Sequence, residues 1–153
     1  MKTKSINVGE LLYEYTAKFT GVTEFGCSMQ AIMTGEIAPP PEGARFDVAF
    51  KGESFGPRLK GEVVGVDYLL IRADGRFQLH IHAVITTEDG ESISLFADGV
   101  ALPREGSPIA DLRENVTLIT SSKAYSWVNL LQVWGQGTVD LEKQVVVLKG
   151  YAA

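Results

Sequence analysis

One cysteine, Cys27, stands in the 153 residues of the chain. No intrachain disulfide or zinc ribbon can therefore form, and a reducing, cytoplasmic setting fits that usage. Histidine is almost as scarce, with two in the whole chain. A metal centre normally draws three or four protein ligands, and no carboxylate falls at a spacing that would complete one. No metal and no cofactor are expected. Apolar runs stay well short of the ~20 residues that cross a bilayer, and the opening MKTKSINVGELLYEY lacks the apolar centre of a signal peptide. Positive charge is also short: 14 Lys and Arg face 19 Asp and Glu, for a formal net charge of -5. Without a basic stripe there is no electrostatic footprint for nucleic acid or an anionic membrane. A glycine-rich phosphate loop and a G-x-S-x-G elbow are both missing, and Cys27 has no histidine near it in sequence. Nucleotide-dependent and nucleophilic-hydrolase chemistry are set aside on those grounds.

What is present is strand. A hydrophobic fraction of 45% with 22% charge is globular composition, and nothing divides residues 1–153 into more than one domain. LLYEYTAKFTG alternates Leu, Tyr, Phe and Thr up to Gly21. FGCSMQAIMTG reads as a second strand or an irregular edge. Three consecutive prolines, Pro39 to Pro41, fix a stiff loop before the strand ARFDVAF. KGESFGPRLKG reads as a turn region, and EVVGVDYLLIR, RFQLHIHAVITT and ESISLFADGVAL as strands. PREGSPIADLREN reads as a loop with at most one helical turn, Ser107 being the candidate N-cap. VTLITS, AYSWVNLLQVWGQG and KQVVVLKGY supply the last strands. Seven to nine strands with almost no helix predict a closed antiparallel β-barrel ahead of a sandwich, because the middle third reads as a meander of adjacent hairpins.

Two turns set which side chains share a face. ADG (Ala73 to Gly75) and EDG (Glu88 to Gly90) each suit a three-residue loop with glycine in the left-handed position. That loop pairs Arg72 with Arg76 and Thr87 with Glu91. One face then holds Leu69, Ile71, Phe77, Leu79, Ile81, Ala83, Ile85, Ile93 and Leu95. The other holds Tyr68, Leu70, Arg72, Gln78, His80, His82, Val84 and Phe96. A two-residue loop mixes the sets, so the three-residue loop is preferred.

PEGARFDVAFKGESFGPRLKGEV, VDYLLIRADGRFQLHIHAVITTEDGESI and AYSWVNLLQVWGQG carry a likeness to a family. The chain resembles the small bacterial proteins grouped as DUF3237, also called UPF0311, from about Leu11 to Tyr151. The resemblance implies a β-barrel of the calycin or allene-oxide-cyclase-like kind, commonly oligomeric, and brings no established activity. Asp67, Trp127 and Asn129 keep residues usual in the family, and Tyr68 stands where tryptophan is usual. Phe55 replaces a glutamate, Ser54 a phenylalanine, and His80 and His82 replace an aspartate and an arginine.

The candidate catalytic residues are His80, His82 and Asp67. Imidazoles at i and i+2 of a strand share a face and suit proton transfer near neutral pH; the alternatives are a polar sheet face, or a metal site awaiting a third ligand. The same-side placement of Tyr68 leads us to expect both histidines to line a polar part of the barrel interior. Asp67 is the one acid in an apolar row, where burial raises a carboxyl pKa; its alternative is a bulge position bonding backbone. Tyr68, Arg58, Arg72, Tyr125, Trp127 and Asn129 are candidate ligand-binding residues, against solvated arginines and aromatic core packing. Two functions follow. One is a barrel that binds a small apolar or aromatic molecule and, if catalytic, performs cofactor-independent isomerase, cyclase or lyase chemistry. The other is a non-catalytic carrier or oligomerising module. Apolar residues on both strand faces predict a homodimer or higher homo-oligomer.

Overall fold

The computed structural model describes residues 9–153; the first eight residues of the opening segment lie outside them. Eight antiparallel strands close into a barrel in chain order: β1 (Glu10–Glu24), β2 (Ala44–Pro57), β3 (Lys60–Ile71), β4 (Phe77–Thr87), β5 (Ser92–Pro103), β6 (Ile109–Ile119), β7 (Val133–Asp140) and β8 (Val145–Ala152), with β8 pairing back onto β1. Closure leaves no sheet edge. A short helix α1 (Met29–Met33) follows β1, and a 3-10 helix (Lys123–Leu130) joins β6 to β7. Among the described residues no helix is long and apolar enough to cross a membrane.

The meander from β3 to β5 has the register that the three-residue turns require. Arg72 N–H bonds Arg76 O and Thr87 N–H bonds Glu91 O, at 2.9 and 2.8 Å. Gly75 and Gly90 take φ of 88° and 87°, the left-handed region where glycine carries no Cβ penalty. The odd-numbered row Leu69, Ile71, Leu79, Ile81, Ala83, Ile85, Ile93 and Leu95 is buried inside.

Four segments differ from the sequence reading. KGESFGPRLKG is not a turn region: β2 and β3 run through it, leaving only Arg58 and Leu59 between them. Its glycines serve close approach instead, since a Cβ on Gly52 would lie 1.9 Å from Thr16 O. PIADLREN is strand β6, and Ser107 Oγ accepts the Ile109 N–H in the turn before it rather than capping a helix. FGCSMQAIMTG holds α1, capped by Ser28 Oγ on Ala31 N–H at 3.1 Å. AYSWVNLLQVWGQG is split, with the 3-10 helix taking its first half and β7 only its second.

The two ends of the barrel differ. Tyr13, Leu59, Val63, Ile85, Ile93, Leu118 and Leu148 fill one end completely, sealed by Val128 of the 3-10 helix. The other end, beside α1 and the Arg72–Arg76 turn, keeps a cavity of about 60 Å³. An eight-stranded barrel is just wide enough to be filled by side chains or to hold one small ligand. Here one end is filled by side chains and the other keeps the cavity.

Candidate active site

Asp67 lies in the inward row of β3 and lines the cavity. The β3–β4 pairing runs to Asp67 opposite Ile81 and resumes only at Leu70 opposite Gln78. In the gap, Asp67 Oδ1 accepts the backbone N–H of His80 at 3.0 Å. The side chain thus satisfies a strand amide and faces the lumen together, joining the two roles weighed for it. Burial raises its pKa to about 6, opposed by that hydrogen bond and by Arg45. Arg45 itself sits on the outer wall, paired with Asp47 at 2.7 Å.

Glu114 enters the same cavity from β6, three strands further around the wall. Its inward row is Ala110, Leu112, Glu114, Val116 and Leu118, all buried. Glycines flank it on both neighbouring strands, Gly99 on β5 and Gly135 on β7. A Cβ on Gly135 would come within 3.1 Å of Glu114 Cβ and 3.2 Å of its Oε1, so the glycine gives the carboxyl its room. Both carboxyl oxygens are buried without a hydrogen-bond partner. Burial, and then the charge of Asp67, raise the pKa to about 8. A dry, unpaired carboxyl holds its proton because the ion would lose its hydration with nothing in return.

Two buried phenols, Tyr15 and Tyr13, lie near the carboxyls. Tyr15 lines the cavity and stacks on Phe50 at 6.4 Å and on Tyr13 at 6.1 Å. The pKa of each phenol is raised by burial first and by Glu114 second, so both stay neutral. Asp67, Glu114 and Tyr15 thus stand among otherwise apolar walls, with burial pushing the two carboxyl pKa values up to about 6 and about 8. Carboxyls pushed apart in this way supply a base and an acid in one site.

Residues 17–153 match the family described as "Protein of unknown function (DUF3237)". The chain belongs to that family. Over 81 residues this DUF3237 protein is also 35% identical to the hydroalkoxylation enzyme phnH of Penicillium herquei, covering 52% of this chain and 48% of that one. It thus spans about half the length of the curated relative it matches. A Clostridium acetobutylicum protein of unknown function superposes with a TM-score of 0.75 at 21% identity, over 94% of this chain and 97% of that one. An enzyme from Penicillium herquei gives a TM-score of 0.60 at 20% identity over 99% and 100%. These two likenesses are of fold.

Of the nine candidate residues, the structure places only Asp67 in the lumen of this family member. His80 and His82 do not line the interior, which corrects the expectation. They are exposed on the outer wall with Tyr68, because the apolar odd-numbered row takes the inside and their parity turns them out. There the imidazoles lie 5.1 Å apart and His82 packs edge-on against Tyr68 and Phe96 at 5.7 and 5.1 Å. Arg58 caps the filled end, paired with Glu10 at 2.9 Å and 4.1 Å above the Trp127 ring. Arg72 pairs with Asp74 inside its turn. Tyr125 donates to Asp89 Oδ1 at 2.8 Å, and the Asn129 amide bonds Thr120 N–H and O, each at 2.8 Å. These hydrogen bonds brace the filled end. Tyr125 and Trp127 lie on the 3-10 helix, where neighbours recur at i+3. Among the described residues no group of three or more His, Cys, Asp or Glu is placed to hold a metal ion. The residues that the sequence reading passed over are Glu114 and Tyr15.

Proposed function

We propose that this chain is a cofactor-independent acid–base enzyme that acts on a small apolar molecule inside the barrel. Its reaction is read as the addition of a substrate's O–H bond across a carbon–carbon double bond of the same molecule, giving an ether. The observation that carries the reading is that two carboxyls, Asp67 and Glu114, line one apolar cavity, with burial raising the pKa of each, to about 6 and about 8. The partial match to a hydroalkoxylation enzyme supports it.

In that reaction the Glu114 carboxyl gives its proton to one alkene carbon. The hydroxyl oxygen bonds the other carbon, and its proton passes to the Asp67 carboxylate. Bonds and electrons balance without a redox partner, and the proton returns from Asp67 to Glu114, the stronger base of the two. Water excluded by the apolar walls cannot compete for the cation. A general acid and a general base each contribute about 10²–10⁴-fold.

The test uses 2-(3-methylbut-2-enyl)phenol, whose alkene gives a tertiary cation on protonation, with the cyclic ether followed by chromatography. Wild type and the double variant His80→Ala/His82→Ala should form it at similar rates, while Asp67→Asn and Glu114→Gln should be at least about 100-fold slower. Turnover that depends on the histidines and survives loss of the carboxyls would contradict the assignment. Binding without turnover would leave the ligand-carrier reading.

Assembly is a separate proposal, of a homodimer through the outer face of β3–β5. Val64, Tyr68 and Val84 are 43%, 37% and 44% exposed there. No formal charge lies between Glu62 and Arg72 on the outward positions of β3, nor on those of β4. A second copy of the same face covers it while meeting one formal charge, Asp98 on β5 opposite His80, which the Asn115 amide already bonds. Light scattering should give twice 16.6 kDa; a mass of one chain at high micromolar concentration would contradict it.

A further inference from the structure

The charge inventory of the cavity goes beyond its acid–base pair. Seventeen of the described residues line it, and apart from Tyr15, Asp67 and Glu114 all are apolar or aromatic hydrocarbons or methionine. None is Lys, Arg or His. The nearest cation named above, Arg45, is held outside the wall by Asp47 and by the Leu69 carbonyl, at 2.7 and 3.2 Å. The backbone amide that answers Asp67 belongs to His80 and is already spent on Oδ1. Among the described residues nothing in the lumen can therefore balance a second negative charge, and low-dielectric walls make that repulsion long-ranged. At the same time Glu114 Oε1 and Oε2 are buried and unpartnered. Buried polar atoms in native proteins nearly always find a partner, so this is a place where a ligand oxygen or nitrogen belongs.

We propose that the cavity selects an uncharged ligand with a hydroxyl, keto or amide group at the Glu114 side, and rejects carboxylates and phosphates through Asp67. This rests on the acid–base reading for the use of the site, but its consequences are read in binding alone. Substrates of this class are phenols, alcohols and neutral carbonyl compounds with an apolar body. An acidic metabolite would have to be esterified, amidated or decarboxylated before it could enter.

Entry involves Met29. The cavity of about 60 Å³ is smaller than the ~150 Å³ that admits benzene, so an aromatic ring has to displace a lining side chain. Met29 reaches the lumen from α1 rather than from a barrel strand, and methionine is unbranched and repacks readily.

Three probes separate charge from shape: phenol, benzamide and benzoate, the last two nearly equal in size. Binding is followed by ligand-observed NMR at pH 7.5 to wild type, Met29→Ala and Asp67→Asn. Phenol and benzamide should bind wild type, and more tightly Met29→Ala. Benzoate should bind both at least about 100-fold more weakly than benzamide, since each tenfold is only 1.4 kcal/mol of repulsion. In Asp67→Asn, where the amide oxygen still accepts the His80 N–H, benzoate should gain at least about tenfold with benzamide unchanged. Benzoate binding wild type as well as benzamide, no gain in Asp67→Asn, or no binding of any probe even to Met29→Ala would overturn the proposal. Failure of the catalytic reading shows instead as carboxyl variants that turn over normally, whatever the probes do.

Discussion

Glu114→Gln should leave the protein at least about 100-fold slower in turnover and more stable at pH 8 than the wild type. The folded chain holds the Glu114 proton up to about pH 8, against an ordinary value of 4.5. The unfolded chain gives that proton up above pH 4.5. Between those limits the folded state binds more protons, so wild-type stability falls as pH rises through the window. The gap of about 3.5 units bounds the loss at about 5 kcal/mol. Glutamine fits the same space between Gly99 and Gly135, carries no charge at any pH, and escapes the penalty. The two proteins should therefore be alike below pH 4.5 and diverge above it. Denaturant unfolding across pH 4–9 measures this. A variant less stable at pH 8, or a wild type whose stability is flat across the window, would contradict the burial of an unpaired carboxyl. A site that costs stability and returns activity is a known trade.

Asp67→Asn should lose about 10²–10⁴ in turnover while keeping the barrel intact. Asparagine offers the same oxygen to the His80 N–H, so the interrupted β3–β4 ladder need not rearrange, but it cannot take a proton from a hydroxyl. The wild-type rate should follow a bell with its acidic limb near pH 6, where Asp67 becomes a base, and its alkaline limb near pH 8, where Glu114 ceases to be an acid. The variant's residual rate should lack the acidic limb. An unchanged acidic limb in Asp67→Asn would assign the base elsewhere.

The sequence carries the β3–β5 part of the fold in plain sight, because two glycine turns and a clean apolar alternation fix register together. The same alternation shows Asp67 as an acid in an apolar row. It also holds the reason the histidines lie outside: they alternate with Leu79, Ile81 and Ala83, and an eight-stranded barrel gives its interior to the apolar row. Glu114 is harder to see. Asp111 and Arg113 beside it make ADLREN look like a charged surface loop, and only a strand reading lines it up with Ala110, Leu112, Val116 and Leu118. The 3-10 helix was hidden for a related reason. Tyr125, Val128 and Leu131 fit a three-residue period and pack on the core, but SWVNLLQVW also satisfies alternation. Tyr15 was visible as a strand residue, and nothing local marks it as facing a cavity.

The central claim is that the lumen holds one ionised and one protonated carboxyl at neutral pH. Carbon-13 NMR of side-chain carboxyls, assigned with Asp67→Asn and Glu114→Gln, reads it directly and needs no substrate. Titrated from pH 3 to 10, Asp67 should change state near pH 6 and Glu114 near pH 8, so that only Glu114 is still protonated at pH 7. Both carboxyls ionising below pH 5 would contradict the account.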